Sequence, residues 1–156
     1  MRKHLLGAGA TLALLLSACG SPAASSASPA AGACSRGAHH AYLVVQHLDG
    51  GSLQRCVGFD GDQIGGEDLM RRSGIRYETQ DFSFGRAVCA LDQEPAHFDQ
   101  CFKQGDPYWG LWIWSGGVYK SSETGYTAVQ LHADEGLGWH RVPASGTPLP
   151  PPAPRK

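Results

Sequence analysis

Four cysteines, Cys34, Cys56, Cys89 and Cys101, carry the best-defined chemistry in this chain. Thiols can be oxidised in pairs, hold zinc or act as nucleophiles. Zinc sites draw on closely spaced pairs, which these four do not form. Four cysteines allow three connectivities, and the sequence alone does not choose among them. Cys89 closes the run "RAVCAL" and Cys101 follows the short polar stretch "DQEPAHFDQC", so a bond between them closes a small loop at little entropic cost. A Cys34–Cys56 bond would then pin the start of the domain to its second strand. Those two bonds are the favoured pairing. Other chemistry is thinner. His39 and His40 are adjacent and would point to opposite faces of a strand, so with His47 they do not converge as metal ligands. "DGDQIG", Asp60 to Gly65, begins like a calcium loop, but its twelfth position is Arg71 where a bidentate Glu is needed. It reads as a solvated turn. His140, beside Trp139, reads as a surface histidine on a strand. There is no G-x-S-x-G, no H-E-x-x-H and no phosphate loop. The chain reads as a non-enzyme without a cofactor or metal of its own.

The second concentration of chemistry is aromatic. "YWGLWIWSGG", Tyr108 to Gly117, holds Trp109, Trp112 and Trp114 and no charge. Indole and phenol rings bury large areas and keep a polar handle. In a strand, alternation sets Trp109, Leu111 and Ile113 on one face and Tyr108 and Trp114 on the other, with Trp112 placed by the kink at Gly110. Both faces are then apolar. One can serve the core, with one tryptophan, and the surplus points to a ligand or partner. Tyr108, Trp109, Trp112, Trp114, Tyr119 and Trp139 are therefore the candidate ligand-binding residues.

The elements that must position these groups can be read locally. "AYLVVQHL" is β-branched and aromatic, "DGG" at Asp49–Gly51 is a hairpin turn signal, and "SLQRCVGF" returns as a second strand. Gly65 and Gly66 end a loop. Glu67 and Asp68 suit a helix N-terminus, Arg71 and Arg72 its last turn, and Gly74 its C-terminal cap. This predicts one short helix packed through Leu69, Met70 and Ile75. Two short strands flank Gly85. "YWGLWIW" and "GGVYKSS" form a second hairpin, and "GWHRV", Gly138 to Val142, is a last strand. The fold class expected is α+β, mostly antiparallel β with one short helix, stapled by disulfides.

The ends are of another kind. Arg2-Lys3-His4 precede an apolar run from Leu5 to Leu16, too short for a span of roughly 20 residues. Charge, length and small residues match a secretory signal over residues 1–18. Leu16-Ser17-Ala18-Cys19 resembles a bacterial lipobox, which implies diacylglycerol on Cys19 and a membrane anchor worth ~0.8 kcal/mol per buried methylene. Gly20 to Ala33 is a Gly/Ser/Pro/Ala tether with a reach of roughly 20 Å. Pro143 to Lys156 is proline-rich and reads as a frayed, disordered tail. The folded unit is then residues 34–142, one small domain that disulfides would reinforce. Without Arg2 and Lys3 the 13 basic residues become 11 against 14 acidic ones, a net of about −3. That excludes a nucleic-acid partner of the usual basic kind. The expected location is extracytoplasmic, lipid-anchored to the cell membrane.

A family resemblance adds to this. "RCVGFDGDQIGGEDLMRRSGI" is similar to the opening of the transcobalamin C-terminal-like domain family. "AVCAL", Cys101, "YWGLWIW", "VYKSSETG" and "GWHRV" follow in the order of its bacterial members. The match runs from about Tyr42 to Val142. Tyr119 stands where many members have Trp, and the "DGD" loop differs. The resemblance implies a β-grasp-like fold and a surface binding module for cobalamin or another flat, partly apolar ligand, accessory to an uptake system with a transporter partner. In animal carriers this lobe covers one side of the corrinoid while a helical lobe holds the other, and no helical lobe is present here. The alternative is a protein-interaction or structural envelope domain that docks a membrane partner or glycan through its aromatic face.

Overall fold

The computed structural model describes residues 33–83 and 85–156. The signal segment, Cys19 and nearly all of the tether lie outside the described residues. Alternating apolar side chains form the first hairpin, β1 (His39–Gln46) and β2 (Ser52–Phe59), turned at Asp49–Gly51, where Asp49 Oδ1 accepts the Gly51 N–H at 2.8 Å. A two-residue strand, β3 (Ile64–Gly65), leads into helix α1 (Gly66–Arg72), with Glu67 and Asp68 in its first turn and Arg71 and Arg72 in its last. Strands β4 (Tyr77–Phe82) and β5 (Gly85–Leu91) pair as a separate ribbon. The second hairpin is β6 (Tyr108–Ser115) and β7 (Val118–Ser121), turned at Gly116 and Gly117 with φ of 59° and 86°. A single-turn helix (Tyr126–Ala128), strand β8 (Gln130–Leu131), which pairs with β3, and β9 (Gly136–Val142) complete the chain. β3, β8 and the single-turn helix are too short to carry a periodic signal in the sequence.

The main sheet has the order β2-β1-β9-β6-β7. Its central pair, β1 and β9, is parallel, and the other neighbours are antiparallel. One face carries Leu43, Val45, Val57, Phe59, Trp109, Leu137 and Trp139, and packs against Leu69 and Met70 of α1 and Ile75 beyond it. That is the main core, and the domain is a small α+β unit dominated by β. A second, smaller apolar cluster, Ala87, Cys89 and Cys101 with Phe82 and Phe98, sits beneath the β5–β6 loop. Disulfides join Cys34 to Cys56 and Cys89 to Cys101, the favoured pairing. Two such bonds in so small a domain belong to an oxidising, extracytoplasmic setting. Among the described residues no helix is long and apolar enough to cross a membrane.

The C-terminal tail corrects the sequence reading. Residues 143–156, expected to be frayed, lie against the second face of the sheet. A turn in which Gly146 N–H donates to the Pro143 carbonyl (2.9 Å) reverses the chain after β9. Pro151 is buried, and Gln54 on β2 and Arg155 exchange two hydrogen bonds of 2.6 and 2.7 Å. Proline content cannot report this, because it describes how stiff a segment is and not what it rests on.

Candidate functional site

The pleat of β6 divides the six candidate aromatics. Trp109 and Trp139 face the helix side and are 5% and 4% exposed. Trp139 belongs to the core, and its indole N–H has no partner among the described residues. Trp112 faces the opposite side yet is equally buried, because its ring folds over Gly110 along the strand and lies beside the His140 ring. Trp114 is half-buried against Tyr119, ring centroids 5.0 Å apart. Tyr108 is half-buried at the start of β6. So more indole is buried than the sequence suggested: Trp139 serves the core, Tyr108 and Trp109 stand where β6 begins, and Trp112, Trp114 and Tyr119 lie on the second face.

The first place is a cleft of about 320 Å³ where β6 begins. The Cys89–Cys101 bond, Phe98 and Phe102 form its apolar part, and Tyr108 and Trp109 form the wall contributed by β6. The Trp109 indole N–H donates to the Glu94 carbonyl at 3.0 Å, which fixes the ring at the cleft edge. The Arg141 guanidinium stands 5.5 Å from the Trp109 ring centroid, a cation–π contact. Arg141 is only 8% exposed. Burial pushes its pKa below the usual guanidinium value, against the opposing pull of Glu94 and Asp106. Yet neither acid pairs with it. The Glu94 carboxylate is engaged by His47 Nδ1 at 2.7 Å and by the Leu48 N–H at 3.4 Å. His47 Nε2 lies 3.3 Å from Asp92. Among the described residues no carboxylate comes within ion-pair distance of Arg141. Its planar set of donors can therefore take an acceptor from a ligand.

Sequence reasoning missed Arg141, His47, Glu94 and Phe98 as neighbours. One signal was available. Arg141 alternates with Leu137 and Trp139 on β9, so strand period alone sets it on the core side, where an unpaired charge is unusual.

The second place is a groove on the other face. Tyr119, Trp112, Gly138 and Gln54 line it and the tail occupies it. A Cβ on Gly138 would stand 2.6 Å from the Tyr119 ring and 2.7 Å from Pro151 Cγ. The bare backbone there is what lets both rings reach the sheet. The Tyr119 hydroxyl donates to the Pro152 carbonyl at 3.3 Å, and His140 Nδ1 meets the Leu149 carbonyl at 2.6 Å. Burial pushes the Tyr119 phenol well up, so it stays a neutral donor. Of the remaining histidines singled out, His39 packs its ring on Phe59. The "DGD" turn is tied down by Asp60, which accepts the Ala38 N–H at 3.0 Å. Among the described residues no group of three or more His, Cys, Asp or Glu side chains is arranged to hold a metal ion.

No protein-family model matches this sequence, and no curated protein matches it. Among solved structures the chain is similar to a crystal structure of a candidate metal-binding protein from Ruminococcus gnavus, at 15% identity and a TM-score of 0.46. The match covers 65% of this chain and 94% of that one. A likeness that slight assigns neither fold nor activity.

Proposed function

We propose that this protein is an extracytoplasmic binding module, anchored to the membrane through a lipid on Cys19, that takes a flat, partly apolar ligand with a polar acceptor at its edge. It works as a binding protein and not as an enzyme, accessory to an uptake system whose transporter would supply the rest of the enclosure. The observation that carries this reading is the cleft with Arg141 in its wall. A partly desolvated guanidinium with a ring contact but no carboxylate partner keeps its donors available at the cleft wall, and a ligand carbonyl or phosphate would occupy them. The apolar surfaces of Tyr108, Phe98 and Phe102 would meet the rest of the molecule. A volume of about 320 Å³ lies at the low end of the ~300–1,000 Å³ of ligand pockets. Such a cleft grips one edge of a large molecule, as a lobe that covers one side of a corrinoid would. The strand order β2-β1-β9-β6-β7 with its parallel central pair, and one helix on one face, supports the β-grasp-like reading.

Cobalamin, with peripheral amides and a phosphodiester, is the ligand to test. Full-length protein in detergent is titrated with cyanocobalamin and its tryptophan emission followed after inner-filter correction. Saturable 1:1 quenching is expected, weakened at least tenfold by Arg141→Met and by Tyr108→Ala. No quenching at millimolar ligand would remove the corrinoid. Binding indifferent to both substitutions would remove the cleft.

A further inference from the structure

We infer that the groove on the second face of the sheet is a recognition site for proline-rich peptide in the polyproline II conformation, and that the protein's own tail is its resident ligand. A proline-rich segment of another protein is the partner it fits. This does not depend on the cleft, which lies on the other side of the sheet.

Gln54, Val44, Gly138 and Trp112 form one row across strands β2, β1, β9 and β6. The tail crosses this row, touching Gly138 through Pro151 and Gln54 through Arg155. Those two anchors are two strands apart, about 10 Å at the usual strand spacing. Four residues of polyproline II span about 12 Å. The sequence between them, Pro151-Pro152-Ala153-Pro154-Arg155, favours that conformation, since each proline fixes its own φ and restricts the residue before it. The match of rise to strand spacing is what allows an extended, unpaired segment to lie across a sheet.

The contacts are of the kind that read such a helix. Polyproline II has no internal hydrogen bonds, so its carbonyls point outward and accept from the receptor. The Tyr119 hydroxyl and the Gln54 amide each donate to a tail carbonyl, and Gln54 Oε1 accepts the Arg155 N–H. Pro151 fills the gap above Gly138, with the Tyr119 ring beside it. An aromatic-lined groove, backbone carbonyls met by side-chain donors and one ring-sized pocket are the parts of proline-peptide recognition. These contacts touch the tail's backbone and a proline ring. Leu149, the large apolar side chain of the tail, is 58% exposed and adds little. Any segment with the same proline spacing would therefore meet the same groups. A charge preference is present at the far end, where Lys156 Nζ lies 3.5 Å from Asp134. The resident tail competes at the millimolar effective concentration of a short tether, so an incoming segment must be locally concentrated or repeated.

The test keeps the full chain and loosens only the tail, by Pro150→Ser, Pro151→Ser and Pro152→Ser together. The probe is a fluorescently labelled synthetic peptide of residues 147–156, followed by anisotropy. The expected result is 1:1 binding to the loosened protein at least tenfold tighter than to wild type. A peptide with its prolines replaced by serine should not bind. In the loosened protein, Gln54→Ala should weaken binding at least fivefold, and Tyr119→Phe, which removes one hydroxyl and leaves the packing, at least twofold. A peptide of unrelated sequence with the same proline spacing should bind within a few-fold. No binding up to millimolar peptide by the folded, loosened protein would overturn the proposal. So would equal binding to wild type, or binding indifferent to both Gln54 and Tyr119. Binding confined to the tail's own sequence would make the tail a private cover and overturn a partner in trans.

Discussion

The disulfide at the cleft permits a quantitative prediction. Replace Cys89 and Cys101 together by alanine. The bond closes a loop of 12 residues, and its chain-entropy contribution at that length is about 3 kcal/mol. For a domain of this size a loss of that order lowers Tm by ~12 °C. Where the loss is felt follows from the packing. Cys89 and Cys101 sit in the small cluster with Ala87, Phe82 and Phe98, apart from the core that joins β1, β2, β6, β9 and α1. The loop between β5 and β6 should therefore loosen before the main sheet. Amide exchange over residues 92–107 should accelerate by 100-fold or more, while β1 and β9 keep protection in proportion to the lower global stability. The cleft loses its floor, so affinity for its ligand should fall at least tenfold. Urea unfolding with exchange read by mass spectrometry measures both parts. A stability loss under ~1 kcal/mol would show that the loop is ordered without its staple. Equal acceleration across the main sheet and the loop would refute the separation of the two clusters.

The turn of the second hairpin places Gly116 and Gly117 at φ of 59° and 86°; Gly117→Ala should cost about 1–2 kcal/mol, and Gly116→Asn clearly less, because Asn suits that position, as compared by thermal melts. In the core, Trp139→Phe removes an indole N–H that has no partner among the described residues. The relief, about 1–3 kcal/mol, offsets lost packing, so Trp139→Phe should cost under ~1 kcal/mol and Trp139→Ala more than ~3 kcal/mol by urea midpoint. A Trp139→Phe loss above ~2 kcal/mol would mean that the indole N–H is satisfied in solution.

Much of the fold was legible because its signals are local. The alternation in "AYLVVQHL" and "SLQRCVGF" yields β1 and β2 with the Asp49–Gly51 turn between them. The acid-first, base-last segment ending before Gly74 yields α1. The candidate site was legible only in part. Tyr108 and Trp109 do line the cleft, but Arg141 comes to Trp109 from β9, and Glu94 to His47 across 47 residues. No local pattern encodes such meetings, because they depend on which strands become neighbours.

By itself, then, the sequence determined the longer elements, their turns, the apolar period of each strand and the short loop that favours the Cys89–Cys101 bond. These follow from φ/ψ preference and side-chain alternation within a few residues. The tertiary structure alone decided that β9 lies between β1 and β6, parallel to the first and antiparallel to the second, and the β6–β9 register sets Arg141 opposite Trp109. It also decided which tryptophans are covered: Gly110 and Gly138 leave gaps that Trp112, Tyr119 and Pro151 fill. A gap between strands belongs to no one segment, so neither the strand that carries the glycine nor the proline that fills it reveals it alone.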